Sequence, residues 1–349
     1  MGRLMRTTLM LTGDINLMNV TNPEAPFALV GAVLRRADVR FSNLECCFYE
    51  PPAKRSVSDE GFCAAPAVAK ALKIAGIDAV GTANNVNYGA DAIQSSLRVL
   101  DSIGIPHTGS GANAQAAHEP VIVSIGGVKV GFQQRTSVYW PTNHEAGEHS
   151  PGVAALRGHT AYRVPMHKTR PEIPPLNRPG VPPEVITWAD SNYLKRLRED
   201  IARLRERCDI VVASHHWGLH QDVLAYMTEI AHAAIDAGAD VVIGHGPHYS
   251  LPVEVYKGRP IFYGLGSFSF HTGHGGLKHG DWVGMLARVV IENGKLMQAA
   301  FRLARHNQNN ETYFCDPAQE STALGEITRR SAPFGTELSI AGEEVSIAL

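Results

Sequence analysis

The sequence predicts an α/β protein built on a largely parallel sheet. One observation carries this. Apolar runs bounded by glycines or polar clusters alternate with helix-patterned segments through most of the first 270 residues. Such a strand-helix rhythm pairs its strands in parallel beneath covering helices. At 349 residues the chain is long enough for one large α/β domain with insertions or for two smaller domains.

The first strand is "TTLMLT" (7–12), and a helix is expected over 22–37, with Asn22 as its cap and Pro23 at its first position. Strand "DVRFS", helix "APAVAKALKIAG", strand "DAVGT", helix "GADAIQSSLRVLDSIG" and strand "IPHTG" follow. "VIVSIGGVKVGFQQ" predicts a hairpin through Gly126 and Gly127. Nine of the 21 prolines fall between 141 and 183, so a long loop or lid without regular structure is expected at about 141–188. The rhythm resumes with helix "ADSNYLKRLREDIARLRER", strand "CDIVVAS", helix "DVLAYMTEIAHAAIDAG", strand "ADVVIG" and two short strands, "LPVEVY" and "RPIFYGL". From 282 to 305 the pattern is an antiparallel hairpin turning at Asn293-Gly294. The expected organisation is one domain over 1–305 and a C-terminal extension over 306–349, packed on it or partly irregular.

With 19% charged residues, a net charge of −2 and a pI of about 6.8, nothing favours a polyanionic partner, and no nucleic acid is expected. The five cysteines, Cys46, Cys47, Cys63, Cys208 and Cys315, have no C-x-x-C spacing and read as reduced thiols of a cytoplasmic protein. The apolar run before Asp14 is too short for a signal-peptide core, and no stretch is long enough for membrane insertion. The 16 histidines cluster at 144–167, 215–220, 245–248 and 271–279.

Five predicted strands end in residues that can bind a metal. They deliver Asp14; Asn43 and Glu45; Asn84 and Asn85; His215 and His216; and His245 and His248. Ligands of parallel sheets bind outside the carboxyl ends of the strands, so these residues are expected to converge on one edge. Taken singly, each has an ordinary role: Asp14 could cap a helix, the asparagines could shape a turn, and the histidines could be core or surface residues. Carboxylate, amide oxygen and imidazole together suit a divalent metal ion such as Mn, Fe or Zn, or Mg or Ca where oxygens dominate. The lack of thiolates points to a catalytic rather than a structural centre.

"GDINL", "SNLE", "TANN", "HHWG" and "GHGPH...EVYKGRPIFYGLGSF" resemble, in order, the motifs of the CapA family, named for poly-γ-glutamate capsule synthesis, within the calcineurin-like metallophosphoesterase superfamily. The resemblance covers about residues 8 to 270. It implies a calcineurin-like four-layer α/β sandwich, two mixed sheets flanked by helices. It also implies a metal centre held by Asp14, Glu45, Asn85, His216, His245 and His248. Two positions depart from the pattern. Asn16 replaces the histidine of the superfamily's Asp-x-His, and Val86 follows the two asparagines where the family usually has a histidine. In phosphoesterases that histidine stabilises phosphoryl oxygens or protonates the leaving group, and losing such a group costs about 10² to 10⁴ in rate.

The resemblance extends to CapA-like tailoring enzymes of lasso-peptide pathways, one of whose activities is epimerisation at a peptide Cα. That reaction needs no leaving-group acid, only a base, an acid on the opposite face and a cation. The leading expectation is a metal-dependent acid/base enzyme acting on a peptide or peptide-like substrate, with epimerisation of its C-terminal residue the specific reaction. Asp14, His216 and His248 would transfer or orient protons. A metallophosphoesterase using His215 or His271 as its acid, and a non-catalytic subunit of capsule synthesis, are the alternatives. Asn84, Arg135, Tyr139, Trp140, His215 and His271 are the candidate substrate-binding residues, Arg135 as a carboxylate fork and the aromatics as a stacking wall. A homodimer is the expected assembly.

Overall fold

The computed structural model describes residues 6–53, 61–164, 182–270, 272–273 and 282–349. Ten strands form one sheet. Its main path runs Leu338–Ala341, Glu344–Ile347, Lys295–His306, Gly284–Glu292, Arg6–Asn16, Val39–Leu44, Ala79–Gly81, His107–Thr108. Six strands form a second, in the order Val253–Tyr256, Arg259–Phe262, Val241–His245, Ile210–His216, Val128–Thr136, Val121–Ile125. The larger sheet is parallel from Arg6–Asn16 to the His107–Thr108 edge and antiparallel in its other half, and the smaller is parallel at its centre and antiparallel at both edges. The expected parallel sheet is therefore two mixed ones.

Strand periodicity explains the layering. Leu9, Leu11 and Phe41 of the larger sheet meet Phe132, Val212 and Ile243 of the smaller one in a single buried cluster, and the rings of Phe41 and Phe132 stack at 4.6 Å. The alternate residues turn outward. Met10 and Val80 pack on the helical segment that includes Leu72 and Ala75. Val211, Ala213 and Val242 pack on Leu197 and Ile201 of helix Ser191–Arg205 and on Met227 and Ile230 of helix Ala225–Asp236. The result is helix, sheet, sheet, helix, a four-layer α/β sandwich.

Both predicted hairpin turns form, through Gly126-Gly127 and Asn293-Gly294, each residue in the left-handed region that such tight turns require. The helix expected over 22–37 is instead a 3₁₀ turn, Ala25–Phe27, and one short helix, Gly31–Leu34. A second proline, Pro26, and Gly31 break the run. The proline-rich segment is not wholly irregular: Gly158–Arg163 and Glu184–Ala189, two stretches that themselves contain no proline, pair antiparallel. Residues 165–181 lie outside the described residues. After 306 the chain adds strand Thr312–Phe314, helix Ser321–Ser331 and a final hairpin whose strand Glu344–Ile347 joins the ten-stranded sheet. All five cysteines are free thiols. Among the described residues no helix is long and apolar enough to cross a membrane.

Candidate metal centre

The carboxyl ends of the parallel strands from both sheets open on the same place. Asp14 reaches it through an irregularity. Leu11 faces the smaller sheet and Ile15 the helices, although strict alternation would put both on one face. The register shifts between Thr12 and Asp14 supply the missing half-step, so Asp14 turns inward. Gly13 permits the kink, because a Cβ there would stand 2.0 Å from the Gly266 carbonyl.

Asp14 and Glu45 are fully buried, and one amide holds both. Asn43 Nδ2 donates to Asp14 Oδ1 at 2.8 Å and to Glu45 Oε2 at 3.2 Å. His245 Nδ1 lies 3.1 Å from Asp14 Oδ1, and His248 Nδ1 lies 3.1 Å from Asp14 Oδ2. Glu45 Oε1 is 3.5 Å from His248 Nε2 and 3.8 Å from His216 Nε2. One ligand atom from each of Asp14, Glu45 and His248 lies within 4.8 Å of the other two. His248 adopts a left-handed backbone (φ 63), a conformation a non-glycine residue holds at a cost of about 1–3 kcal/mol.

Hydrogen bonding sets the imidazole tautomers. The Thr136 hydroxyl donates to the Val138 carbonyl, so its oxygen can only accept from His216 Nδ1–H, 3.1 Å away. His216 Nε2 is then left with a lone pair. Asp14 likewise accepts from His245 Nδ1–H. Both Nε2 atoms, His216 and His245, are buried without a hydrogen-bond partner. Burial would raise the Asp14 carboxyl, but hydrogen bonds and charge from His245 and His248 outweigh it and hold it below the carboxylate range. Glu45 goes the other way, raised by burial and then by the Asp14 charge. Two buried carboxylates among imidazoles that keep unpartnered lone pairs fit a divalent cation.

The other candidate residues divide. Asn84 is not a substrate contact: it is fully buried, donates to the Asn43 side chain (3.2 Å) and the Leu44 carbonyl (2.9 Å), and accepts from the Val86 and Asn87 amides. Its amide orients the Asn43 clamp. Asn85 is half-buried, and its backbone carbonyl accepts the Trp140 indole N–H at 3.2 Å. Trp140 is 47% exposed and so available to a ligand. The Tyr139 hydroxyl accepts from Arg157 Nε at 3.1 Å, and its ring packs beside Cys47, Ile93 and Val153.

Arg135 is not a free carboxylate fork. It sits on the helix side of its strand, 2% exposed, paired with Asp200 of helix Ser191–Arg205 and touching His118. His215, its register partner, shares that side and stacks on Trp217 at 5.0 Å. Adjacent strand residues point to opposite faces, so His215 cannot join His216 at the cluster. His271 lies outside the described residues.

At the first departure, Asn16 donates to the Thr272 carbonyl and accepts from the Met18 amide, both at 2.8 Å, so it fastens a loop. At the second, Val86 is buried in an apolar cluster with Phe62 and Phe270. The Phe270 ring lies 4.7 Å from that of His248, which makes this side of the centre an apolar wall. Sequence reasoning missed Gln134. It accepts from Ala83 N at 2.6 Å and donates to Asn43 at 3.0 Å and Ser214 at 3.2 Å, tying the two sheets together under the clamp. Its alternation with Phe132 on an inward-facing strand was the available signal.

A family model described as "Bacterial capsule synthesis protein PGA_cap" matches residues 8–272. The chain belongs to this family. The PGA_cap match takes in every residue of the centre and stops before the C-terminal helix. An uncharacterised protein y4sH of Sinorhizobium fredii is 26% identical over 305 residues, 75% of this chain and 66% of its own length. The capsule biosynthesis protein CapA of Bacillus anthracis is 24% identical over 282 residues, 77% of this chain and 61% of its own. The PGA biosynthesis protein CapA of Bacillus subtilis is 28% identical over 208 residues, 58% and 45%. The chain thus spans 66% or less of the length of these relatives. Among solved structures, a novel phosphatase of Mycoplasma pneumoniae aligns at 10% identity with a TM-score of 0.49, over 86% of this chain and 94% of its own.

Proposed function

We propose that this PGA_cap member is a metal-dependent acid/base enzyme acting on a peptide or peptide-like substrate, with epimerisation at a peptide Cα as its reaction. The observation that carries the reading is the Val86 wall: apolar side chains stand where phosphoester cleavage wants an acid, while the proton-handling imidazoles beside the carboxylates are intact.

Asp14, Glu45 and His245 would hold the cation, with Asn85 close by in sequence to the Asn84 hinge of the clamp. Mn, Fe or Zn suits this mixture of carboxylate and imidazole better than the all-oxygen shell that Ca prefers. The cation would supply positive charge against the enolate-like charge that builds as a Cα proton leaves. His216 and His248 each bring Nε2 within 4 Å of Glu45 Oε1, at 3.8 and 3.5 Å, and are assigned the two proton transfers. His216, its Nδ1–H committed to Thr136, presents a basic Nε2. The Asp14 carboxylate stands 3.1 Å from His248 Nδ1 and favours the charged ring electrostatically. The His248 side chain is 22% exposed where those of Asp14, Glu45 and His216 are at most 1%, so it is the member that can exchange its proton with solvent.

Incubation with candidate peptides in D₂O and Mn²⁺ tests this. Deuterium at one Cα is the expected result, lost in His248→Gln, and its absence from every peptide would sink the reading. Phosphoester hydrolysis is the second reading, favoured by the pairing of carboxylates with several imidazoles. Of the two acids expected for it, His215 faces away from the centre and His271 lies outside the described residues. Turnover of p-nitrophenyl phosphate with Mn²⁺, abolished by Asp14→Ala and without Cα exchange, would favour it instead.

A further inference from the structure

A cavity of about 210 Å³ opens beside the metal centre, between the strand-end residues and the C-terminal helix. Tyr249, Trp282, Val283 and Ile327 give it apolar walls, and Ala323 and Arg330 close the helix side. Trp282 is the wall shared with the centre: its ring stacks on that of His248 at 4.9 Å and 9°, and Tyr249 lies 5.8 Å from it. Two larger cavities lie at His118–Asp200 and at Thr7–Asp209.

Size and charge define what fits. An apolar cavity of about 150 Å³ holds a benzene molecule, so this one takes a single aromatic or large aliphatic side chain. Arg330 does not offer a free fork to a carboxylate. Its Nε is bound to Glu326 at 2.6 Å, and its terminal nitrogens contact the Gln221 carbonyl and, at 2.8 Å, Gln221 Oε1. Glu326 in turn is paired with Arg329 and Arg330, so the lining offers an acidic side chain no unpaired cation, and apolar contact with the walls is what the cavity rewards.

We infer that this cavity is the side-chain subsite of the metal centre, and that it selects a peptide residue with an aromatic or large aliphatic side chain over a glutamyl residue. The inference rests on the peptide-substrate reading above. It also gives a role to residues beyond the family-matched 8–272, where Trp282, Val283 and helix Ser321–Ser331 lie.

Calorimetric titration of the full Mn²⁺-loaded chain with N-acetylated Gly-Phe-Gly amide and Gly-Glu-Gly amide tests it. The phenylalanine peptide is expected to bind at least tenfold more tightly. Ala323→Phe, which fills the cavity from the half-buried face of the helix, should weaken it at least tenfold, and Thr322→Ala, at the exposed neighbouring position outside the lining, should leave it unchanged. Both variants should keep the wild-type melting temperature and Mn²⁺ affinity. Equal affinities, no binding of either peptide, or undiminished binding to a folded Ala323→Phe would overturn the subsite. If the subsite behaves as expected and no Cα exchanges deuterium, the epimerase reading fails while the subsite stands. Exchange that is indifferent to Ala323→Phe would remove the subsite alone.

Discussion

The side-chain amide of Asn43 binds Asp14 and Glu45 at once, one N–H to each carboxylate, while its oxygen accepts from Asn84 and Gln134. With the oxygen fixed by two donors, the amide cannot flip, and both of its N–H groups stay aimed at the carboxylates. The metal centre is therefore positioned by a three-amide relay that spans both sheets.

Asn43→Leu keeps the volume and removes the clamp. Removing such a supporting hydrogen bond typically costs about 10- to 100-fold in metal affinity. We expect a Mn²⁺ affinity loss of that size by calorimetry, with a similar direction and smaller size for Gln134→Leu, which touches neither carboxylate. An unchanged affinity in both would remove the positioning role.

His215 and His216 are neighbours in sequence with opposite fates. His215→Phe replaces a buried ring, neither of whose nitrogens has a hydrogen-bond partner, with one of similar shape. It should leave Cα exchange and Mn²⁺ affinity unchanged and shift stability by no more than about 1 kcal/mol. His216→Phe should abolish exchange. Equal damage from both would contradict the facing of the strand.

Arg135 holds the strand to the helix rather than a ligand. Arg135→Met removes one of two arginines on Asp200 and leaves Arg203, and losing a charged hydrogen bond of this kind costs about 1.5–3 kcal/mol. Urea denaturation should show that loss, while peptide affinity measured under conditions where the variant is folded stays at the wild-type value.

His144 makes stability pH-dependent. Its Nδ1 accepts from the Trp140 amide at 3.1 Å and its Nε2–H donates to the Asn87 carbonyl at 2.8 Å, an arrangement only the neutral ring can make. Burial, outweighing the Asn87 hydrogen bond, lowers it to about 4. Unfolded, it titrates near 6.5. Between those values the unfolded chain carries the extra proton, so stability rises with pH. The contribution is complete above about 6.5 and is lost as pH falls towards 4, by at most about 3 kcal/mol. Melting curves from pH 7 to 4.5 should show a shallower decline for His144→Gln than for the wild type, and parallel curves would refute the assignment.

What could be read from the chain alone was whatever local pattern controls. The alternation of strands and helices, the turns at Gly126-Gly127 and Asn293-Gly294, and the gathering of Asp14, Glu45, His216, His245 and His248 at strand ends all follow from periodicity and turn chemistry. The opposite facing of His215 and His216 was legible too, since neighbours on a strand must diverge. The tertiary structure decided what depends on distant partners. A bulge beside Gly266 turned Asp14 inward, and Asn43, Asn84 and Gln134, up to 91 residues apart, found one another only when two sheets closed. Buried amides have four hydrogen-bonding positions to fill, and which neighbour fills them is settled by packing, not by spacing along the chain.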